Sequence, residues 1–567
     1  MTISMLIFSM FIPVDTFAVD VLAQSNDAVK TIDLLTFNDF HGAVEAGGKN
    51  QGIAKFAEAI NEVKKENPNT IVVSGGDNFQ GSAISNLTYG GPVNEFMESI
   101  GVVASAVGNH EFDWGVDKIA KWAKDGSYDY LASNIYDTTN SEPVTWAKPY
   151  KIVEVDGVKI GLIGLATPET AYTTKAENVS NLEFKDPIES AKTWAKVARD
   201  NGADVVIALT HLGSMQDYDT GEITGEAADL AKSKTVDAVV SAHTHQLVSG
   251  KVDGIPVIQA YKQGRCLGDL KITIAKDGTV DIEPSVTKLY EKDLTEDAAA
   301  KAIYDKYSVN VQPILSEVLG TTDKELSHDG FAGPSILGEW TSDVMRKAAG
   351  TQIAITNGGG LRTSIAKGNI TMGNLYEVMP FDNTLVKMEL KGSDLKKVIE
   401  HGIMNTDIGW VQEAGVMSTY DSEGKIVTMT LDDGTPINMD SYYTVCTNDF
   451  MATGGDKYDF TQGKNVVDTM IPIRDALVKD IQAKKTLSVE KIGYLVEAQS
   501  QANTTESATT TASEPQATSN VYTVQSGDTL WQISREYNVS YIDIANTNNI
   551  ANADLIYIGQ TLTIPAA

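Results

Sequence analysis

From Thr31 onward, short β-branched runs recur along the first half of the chain: TIDLLTF (31–37), TIVVS (70–74), VVASAV (102–107), KIGLIGLA (159–166), ADVVIAL (203–209) and DAVVSA (237–242). Between them lie stretches with apolar residues at helical spacing, around 51–65, 92–100 and 187–201 and after Gly115. Apolar runs of this length, bounded by glycines and alternating with helices, predict strands buried in an α/β core. Closely spaced strands through 252–274 end the pattern near residue 285.

The glycine-poor stretch 291–317 predicts a connecting helix. A second alternation follows, with a helix over 337–350, a strand and loop QIAITNGGGLR (352–362), a helix over 393–404 and strands through 427–434 and 442–450. Residues 498–520 are Ser, Thr, Ala, Gln and Asn with scattered Glu, a composition that cannot offset the cost of ordering and reads as a flexible linker. The pattern divides the chain into a signal-like segment (1–29), a first domain (30–285), a connecting helix or hinge (286–319), a second domain (320–497), the linker (498–520) and a small terminal unit (521–567).

Charge narrows the picture. A formal net charge of -31 excludes broad binding to nucleic acid polymers or anionic membranes, which needs basic surface. It also requires any anion-binding site to be locally positive, which bound cations would arrange. The two cysteines, Cys266 and Cys446, lie far apart in strand-like surroundings and read as buried free thiols. The opening MTISMLIFSMFIPV, followed by small-residue cleavage candidates, resembles a secretory signal that lacks its basic leader. No other stretch is long and apolar enough to span a membrane, so export without a transmembrane anchor is expected.

Chemistry concentrates where the strands end. Asp39 and His41 lie in NDFHG, Asp77 in SGGDN, Asn109, His110 and Asp113 in GNHEFD, His211 in ALTHLG, and His243 and His245 in SAHTH. Carboxylates and imidazoles together suit Zn, Mn, Fe or Co, whereas Mg prefers oxygen ligands and water. Asp39 and His41, two residues apart, would share one side of an extended chain. Asp77 has lone pairs enough to bridge two ions, and Gly75 and Gly76 relieve crowding beside it.

The series DxH, GGD, GNHE, a lone His after an apolar strand, and HxH resembles the calcineurin-like metallophosphoesterases. NGGGLR (357–362), MPFDN (379–383) and NDFMATGGDKY (448–458) resemble the substrate domain of the secreted 5'-nucleotidases, and the likeness covers about residues 30–495. It implies a four-layer β-sandwich flanked by helices, joined to a second α/β substrate-binding domain. It implies two divalent metal ions, Zn, Mn or Co ahead of Mg or Ca. Asp39, His41, Asp77 and His245 would hold one, and Asp77, Asn109, His211 and His243 the other. His110 would stand beside the phosphate with Asp113 supporting it, Phe381 and Phe450 would sandwich the base, Asn357 and Arg362 would contact the nucleotide, and Asp456 would bind the ribose. The expected reaction is hydrolysis of nucleoside 5'-monophosphates by a water that the cations acidify, with the domains closing about a hinge near 291–320.

Two positions depart from the pattern: HTH stands where many 5'-nucleotidases have HxQ or HxN, and Lys457 replaces a glycine in GGDKY, bringing a positive group near the expected ribose site. The first keeps open a 2',3'-cyclic nucleotide phosphodiesterase with 3'-nucleotidase activity, or a hydrolase of UDP-sugars and dinucleotides. From another class, the chain could be a non-catalytic wall-binding protein. The tail, YTVQSGDTLWQISREYNVS with IYIGQTLTIP, resembles a LysM domain, which implies binding to peptidoglycan or another N-acetylglucosamine glycan at the cell wall, with Trp531 either in its core or on a sugar.

Overall fold

The expected strands assemble into two mixed six-stranded sheets. The computed structural model describes residues 28–498 and, in the tail, 520–524, 530–537, 539, 544–545, 547–548, 550 and 560–565; the signal-like segment up to residue 27, nearly all of the linker, and Gly527–Asp528, which the sequence of the tail places in a turn, lie outside the described residues. The first sheet runs in the order 280–288, 266–275, 28–37, 70–74, 102–106 and 129–131, and the second 247–252, 255–260, 238–242, 205–213, 158–166 and 150–155. Strands 28–37, 70–74, 102–106 and 129–131 are mutually parallel, as are 158–166, 205–213, 238–242 and 255–260.

The two-residue side-chain period assigns each strand two partners. Ile32 and Leu34 of the first sheet share one buried cluster with Ile160, Leu162, Ile207 and Val240 of the second. Leu35 and Phe37, on the opposite face, pack with Phe56 and Phe96 from helices Gly52–Glu66 and Gly91–Ser99. Ile163, Leu165 and Val206 do the same with Ala191, Ala195, Ala227 and Leu230 from helices Pro187–Asp200 and Glu226–Lys232. Both cysteines are buried and free.

The connecting helix spans Ala298–Leu315, with the Asp297 carboxylate accepting from Ala300 N as its N-cap. It docks on the first domain: Tyr304 Oη donates to Glu45 Oε1 at 2.9 Å and Tyr307 Oη to Glu95 Oε1 at 2.8 Å. Beyond it stands a five-stranded sheet in the order 411–414, 353–357, 442–448, 384–391 and 464–472. Helices Ile336–Ala349 and Ile473–Lys484 contribute to a cluster that includes Ala354 and Cys446, and helix Gly392–Gly402 contributes to another that includes Ile353 and Val445. The described residues up to 498 form one compact unit and those of the tail another. In the terminal unit, strands Asn520–Thr523 and Thr561–Ile564 pair antiparallel, and Leu530, Ile533 and Ile544 are buried; the side chain of Trp531 lies outside the described residues. Among the described residues no helix is long and apolar enough to cross a membrane.

One buried acid in the second domain has a measurable consequence. Glu413, on strand Val411–Ala414, is 1% exposed and neither carboxylate oxygen has a hydrogen-bond partner. Burial pushes its carboxyl from 4.5 up to about 8, and the Glu339 charge adds to the effect. The folded chain therefore holds a proton that the unfolded chain has released between these values, and the side chain's contribution to stability falls as pH rises through that window. Glu413→Gln is expected to unfold at a temperature close to wild type at pH 5 and above it at pH 8. A difference that stays constant with pH, read by thermal melts, would contradict this.

Candidate active site

The parallel strands deliver the site residues from their C-terminal ends. Asp39 and His41 follow strand 28–37, Asp77 follows 70–74, Asn109 follows 102–106, His211 lies within 205–213, and His243 and His245 follow 238–242. The expected extended geometry at Asp39 and His41 is not what forms: their φ angles are 48° and 47°, and Asp77, His243 and His245 also adopt left-handed φ of 54°, 71° and 55°. Non-glycine residues avoid this region, and five together mark backbone held under strain by its surroundings. Glycine is needed beside them. A Cβ at Gly108 would sit 2.1 Å from Asp77 Oδ1, and one at Gly76, itself at φ 92°, would meet Gly108 N at 2.8 Å.

The expected ligands converge on two groups. Asp39, His41 and His245 form one and Asp77, His211 and His243 the other, each with ligand atoms within 4.8 Å of one another. Backbone carbonyls set two of the imidazoles. His211 Nδ1 donates to the Gly75 carbonyl (2.8 Å) and His41 Nδ1 to the Gln80 carbonyl (3.0 Å), so in each ring Nε2 carries the lone pair. His41 Nε2 then faces His245 Nε2 at 2.9 Å, and His211 Nε2 is buried without a hydrogen-bond partner, 3.1 Å from Asp77 Oδ2. Asn109 Nδ2 donates to the Thr173 carbonyl (3.3 Å) and its Oδ1 is left buried and unpartnered. Imidazole nitrogens and carboxylate oxygens converging in a buried setting are what a cation requires, and the donor set fits a divalent ion. Burial lowers the pKa of His41 and His245, with the His245 charge adding to the effect on His41.

His110 belongs to neither group. Its backbone N–H donates to Asp77 Oδ1 (2.9 Å) and its Nδ1 lies 2.8 Å from Asp113 Oδ2. Burial opposes its protonation, but the Asp113 and Asp77 carboxylates prevail and raise its pKa to about 9. Phe381 comes from the second domain to stack on His110, with ring centroids 5.8 Å apart and planes 27° from parallel, and the Arg362 guanidinium lies 5.9 Å from the same ring. Arg362 feels the carboxylates of Asp77, Asp113 and Asp456, yet keeps more than a third of its surface open.

Asn357 Nδ2 donates to Asp456 Oδ2 (2.7 Å), and Asn448 Nδ2 in turn donates to Asn357 Oδ1 (3.1 Å). Burial raises the Asp456 pKa to about 6, against Asn357 and Arg362. The backbone tolerates Lys457 in a left-handed conformation (φ 62°), next to Asp456 at φ 54°, and the Lys457 Nζ reaches the Tyr172 ring of the first domain at 4.2 Å from its centroid. Phe450 is half-buried at the edge of a cluster that Trp410 also flanks, and Phe381 and Phe450 are not in ring contact.

Sequence reasoning passed over three contributors. Glu111 accepts from the backbone of Asp77 (2.8 Å), Asn78 (2.8 Å) and Gly108 (2.6 Å), tying two ligand loops together; its place in GNHEFD was the available signal. Asn448 has a like signal in NDF. Glu169, whose Oε2 lies 3.2 Å from His243 Nε2, sits in a segment with no motif to announce it.

Comparison with known proteins agrees with this geometry. The model of the calcineurin-like phosphoesterases matches residues 32–247, that of the 5'-nucleotidase C-terminal domain matches 318–463, and that of the LysM domain matches 522–565. The chain therefore combines a region similar to the calcineurin-like phosphoesterases, one similar to the 5'-nucleotidase C-terminal domain and one similar to the LysM domain. It is 33% identical over 458 residues to Endonuclease YhcR of Bacillus subtilis, covering 75% of this chain and 37% of that protein. It is 28% identical over 496 residues to a snake venom 5'-nucleotidase of Naja atra, covering 76% of this chain and 92% of that one. Among solved structures it superposes on the 5'-nucleotidase precursor from Thermus thermophilus with a TM-score of 0.72 and 26% identity, over 83% of this chain and all of that one. The chain thus spans little more than a third of the first of these relatives.

Proposed function

We propose that this enzyme releases phosphate from nucleoside 5'-monophosphates outside the cell, at the wall. The observation that carries the reading is that the second domain brings Phe381 onto His110 and Arg362 beside Phe381, next to the two His/Asp groups. The first domain is read as a four-layer sandwich, spanning 30–285 and followed by a hinge at 286–319, and 320–497 as the nucleotide-binding domain. Asp39, His41, Asp77 and His245 would hold one divalent cation and Asp77, Asn109, His211 and His243 the other, Zn, Mn or Co by their nitrogen content. Such a pair supplies charge neutralisation at the phosphoryl oxygens and acidifies the attacking water.

The side chains divide the remaining work. Protonated His110, oriented by Asp113, carries a proton to the leaving oxygen. Arg362 binds the phosphate through its fork of N–H groups. Asp456, held by Asn357, accepts from the ribose hydroxyls. Phe381, whose ring also covers His110, and Phe450 sandwich the base. The LysM module would hold the enzyme on peptidoglycan or a related N-acetylglucosamine glycan.

The reading is tested by phosphate release from AMP, 3'-AMP, 2',3'-cyclic AMP and UDP-glucose with Mn²⁺ added. AMP is expected to lead in kcat/KM by about tenfold or more, a barrier difference of about 1.4 kcal/mol. A lead by the cyclic ester or by UDP-glucose would replace the proposal with one of its rivals. Phe450→Ala is expected to raise KM for AMP by about tenfold, since a stacked base contributes about 1–3 kcal/mol, while leaving KM for p-nitrophenyl phosphate near wild type. Equal effects on both substrates would remove Phe450 from the base.

A further inference from the structure

The segment Thr167–Asn178 leaves strand Val158–Ala166 and carries a short helical turn, Thr170–Thr173, before entering Ala176–Val179. It supplies no candidate metal ligand, yet it reaches three residues of the site from behind. Glu169 Oε2 lies 3.2 Å from His243 Nε2. The Thr173 carbonyl accepts from Asn109 Nδ2 at 3.3 Å, and Thr174 Oγ1 donates to Asp113 Oδ1 at 3.0 Å. Asn178 Nδ2 adds donations to the carbonyls of Phe112 (2.8 Å) and Asp113 (3.1 Å).

The second domain grips the same segment. Lys175 Nζ pairs with Asp449 Oδ2 at 2.9 Å, where the Asp449 side chain is only 5% exposed. Lys457 lies over the Tyr172 ring, and Tyr172 Oη donates to Glu169 Oε1 at 2.8 Å. One chain of contacts therefore runs from Lys457 through Tyr172 and Glu169 to His243. A shorter one runs from Asp449 through Lys175 into the turn that presents the Thr173 carbonyl to Asn109. An amide that donates through Nδ2 turns Oδ1 the other way, and a ring engaged at Nε2 offers Nδ1; both contacts aim the free atom.

We propose that Thr167–Asn178 is a positioning strap, set by the docked second domain and in turn setting Asn109, His243 and Asp113. The inference rests on reading the site as a two-cation centre. On it, closing on a nucleotide and completing the ligand geometry are one event, so the cation on the Asp77–His211–His243 side is held more tightly when the domains are docked.

The test is calorimetric titration of the metal-free full-length protein with Mn²⁺, alongside kcat and KM for AMP and an unfolding temperature as a check on folding. Glu169→Gln is expected to weaken one of the two Mn²⁺ equivalents by about 10- to 100-fold, the usual effect of losing a partner behind a ligand, and to leave the other unchanged. Lys175→Met, whose side chain touches neither ligand nor substrate, is expected to weaken the same equivalent by about 2- to 30-fold and to lower kcat more than it raises KM. Wild-type Mn²⁺ binding in both variants, with only the unfolding temperature lowered, would overturn the proposal and leave the strap as packing. A wild-type protein that takes up two Mn²⁺ but cleaves no nucleotide would refute the nucleotidase reading and leave this titration interpretable.

Discussion

Replacing Asp77 by Asn is expected to abolish phosphate release, a loss exceeding about 100-fold, because even partners behind a metal ligand cost about 10- to 100-fold when removed. Asp77 is 2% exposed; Oδ1 accepts from the His110 backbone and Oδ2 lies 3.1 Å from His211. It stands with His211 and His243 in one group and, on the two-cation reading, also bridges to the other. Metal content measured on the purified variant should fall below two per chain. Its stability should respond to metal in a way that separates this from misfolding. Excess Mn²⁺ should raise the wild-type melting temperature more than the variant's, since a site saturated at 100 times its Kd contributes about 2.7 kcal/mol to the folded state. A variant that keeps two metals and full turnover would remove Asp77 from the centre.

His110→Asn should lower kcat for AMP by about 10²- to 10⁴-fold, the range of general acid–base catalysis, while metal content stays at two per chain. The geometry separates the two effects. His110 lies outside both ligand groups, is oriented by Asp113 at 2.8 Å and covered by Phe381, and carries its proton because two carboxylates outweigh its burial. Asp113→Asn should reproduce part of the loss, since the ring keeps its place but the carboxylate that favours its charged form is gone. Loss of a metal in His110→Asn would move this residue into the ligand set, and unchanged kcat would remove it from the chemistry.

Local pattern carried most of the fold and the chemical identity of the site. Strand runs such as TIVVS and KIGLIGLA, the helix over 298–315 within the stretch 291–317, and the free, buried state of Cys266 and Cys446 follow from spacing and apolar content, which act over a few residues. The His and Asp residues stood out because they recur where strands stop. The conformation that presents them was not legible there. Asp39 and His41 reach their group through left-handed backbone, not through an extended chain, with their backbone N–H groups donating to the Gly76 and Asp77 carbonyls of the neighbouring loop.

Pairings between distant segments were decided only by tertiary structure. His41 meets His245 across two sheets, Phe381 settles on His110, Lys457 crosses to Tyr172, and Glu169 backs His243. No local signal encodes these contacts. They arise when the apolar faces of separate sheets and domains are buried together, and the polar groups left between them must find partners wherever the packing puts them. The sequence by itself determined which residues could hold cations; the packing of the sheets and the two domains decided which of them face one another and what holds them there.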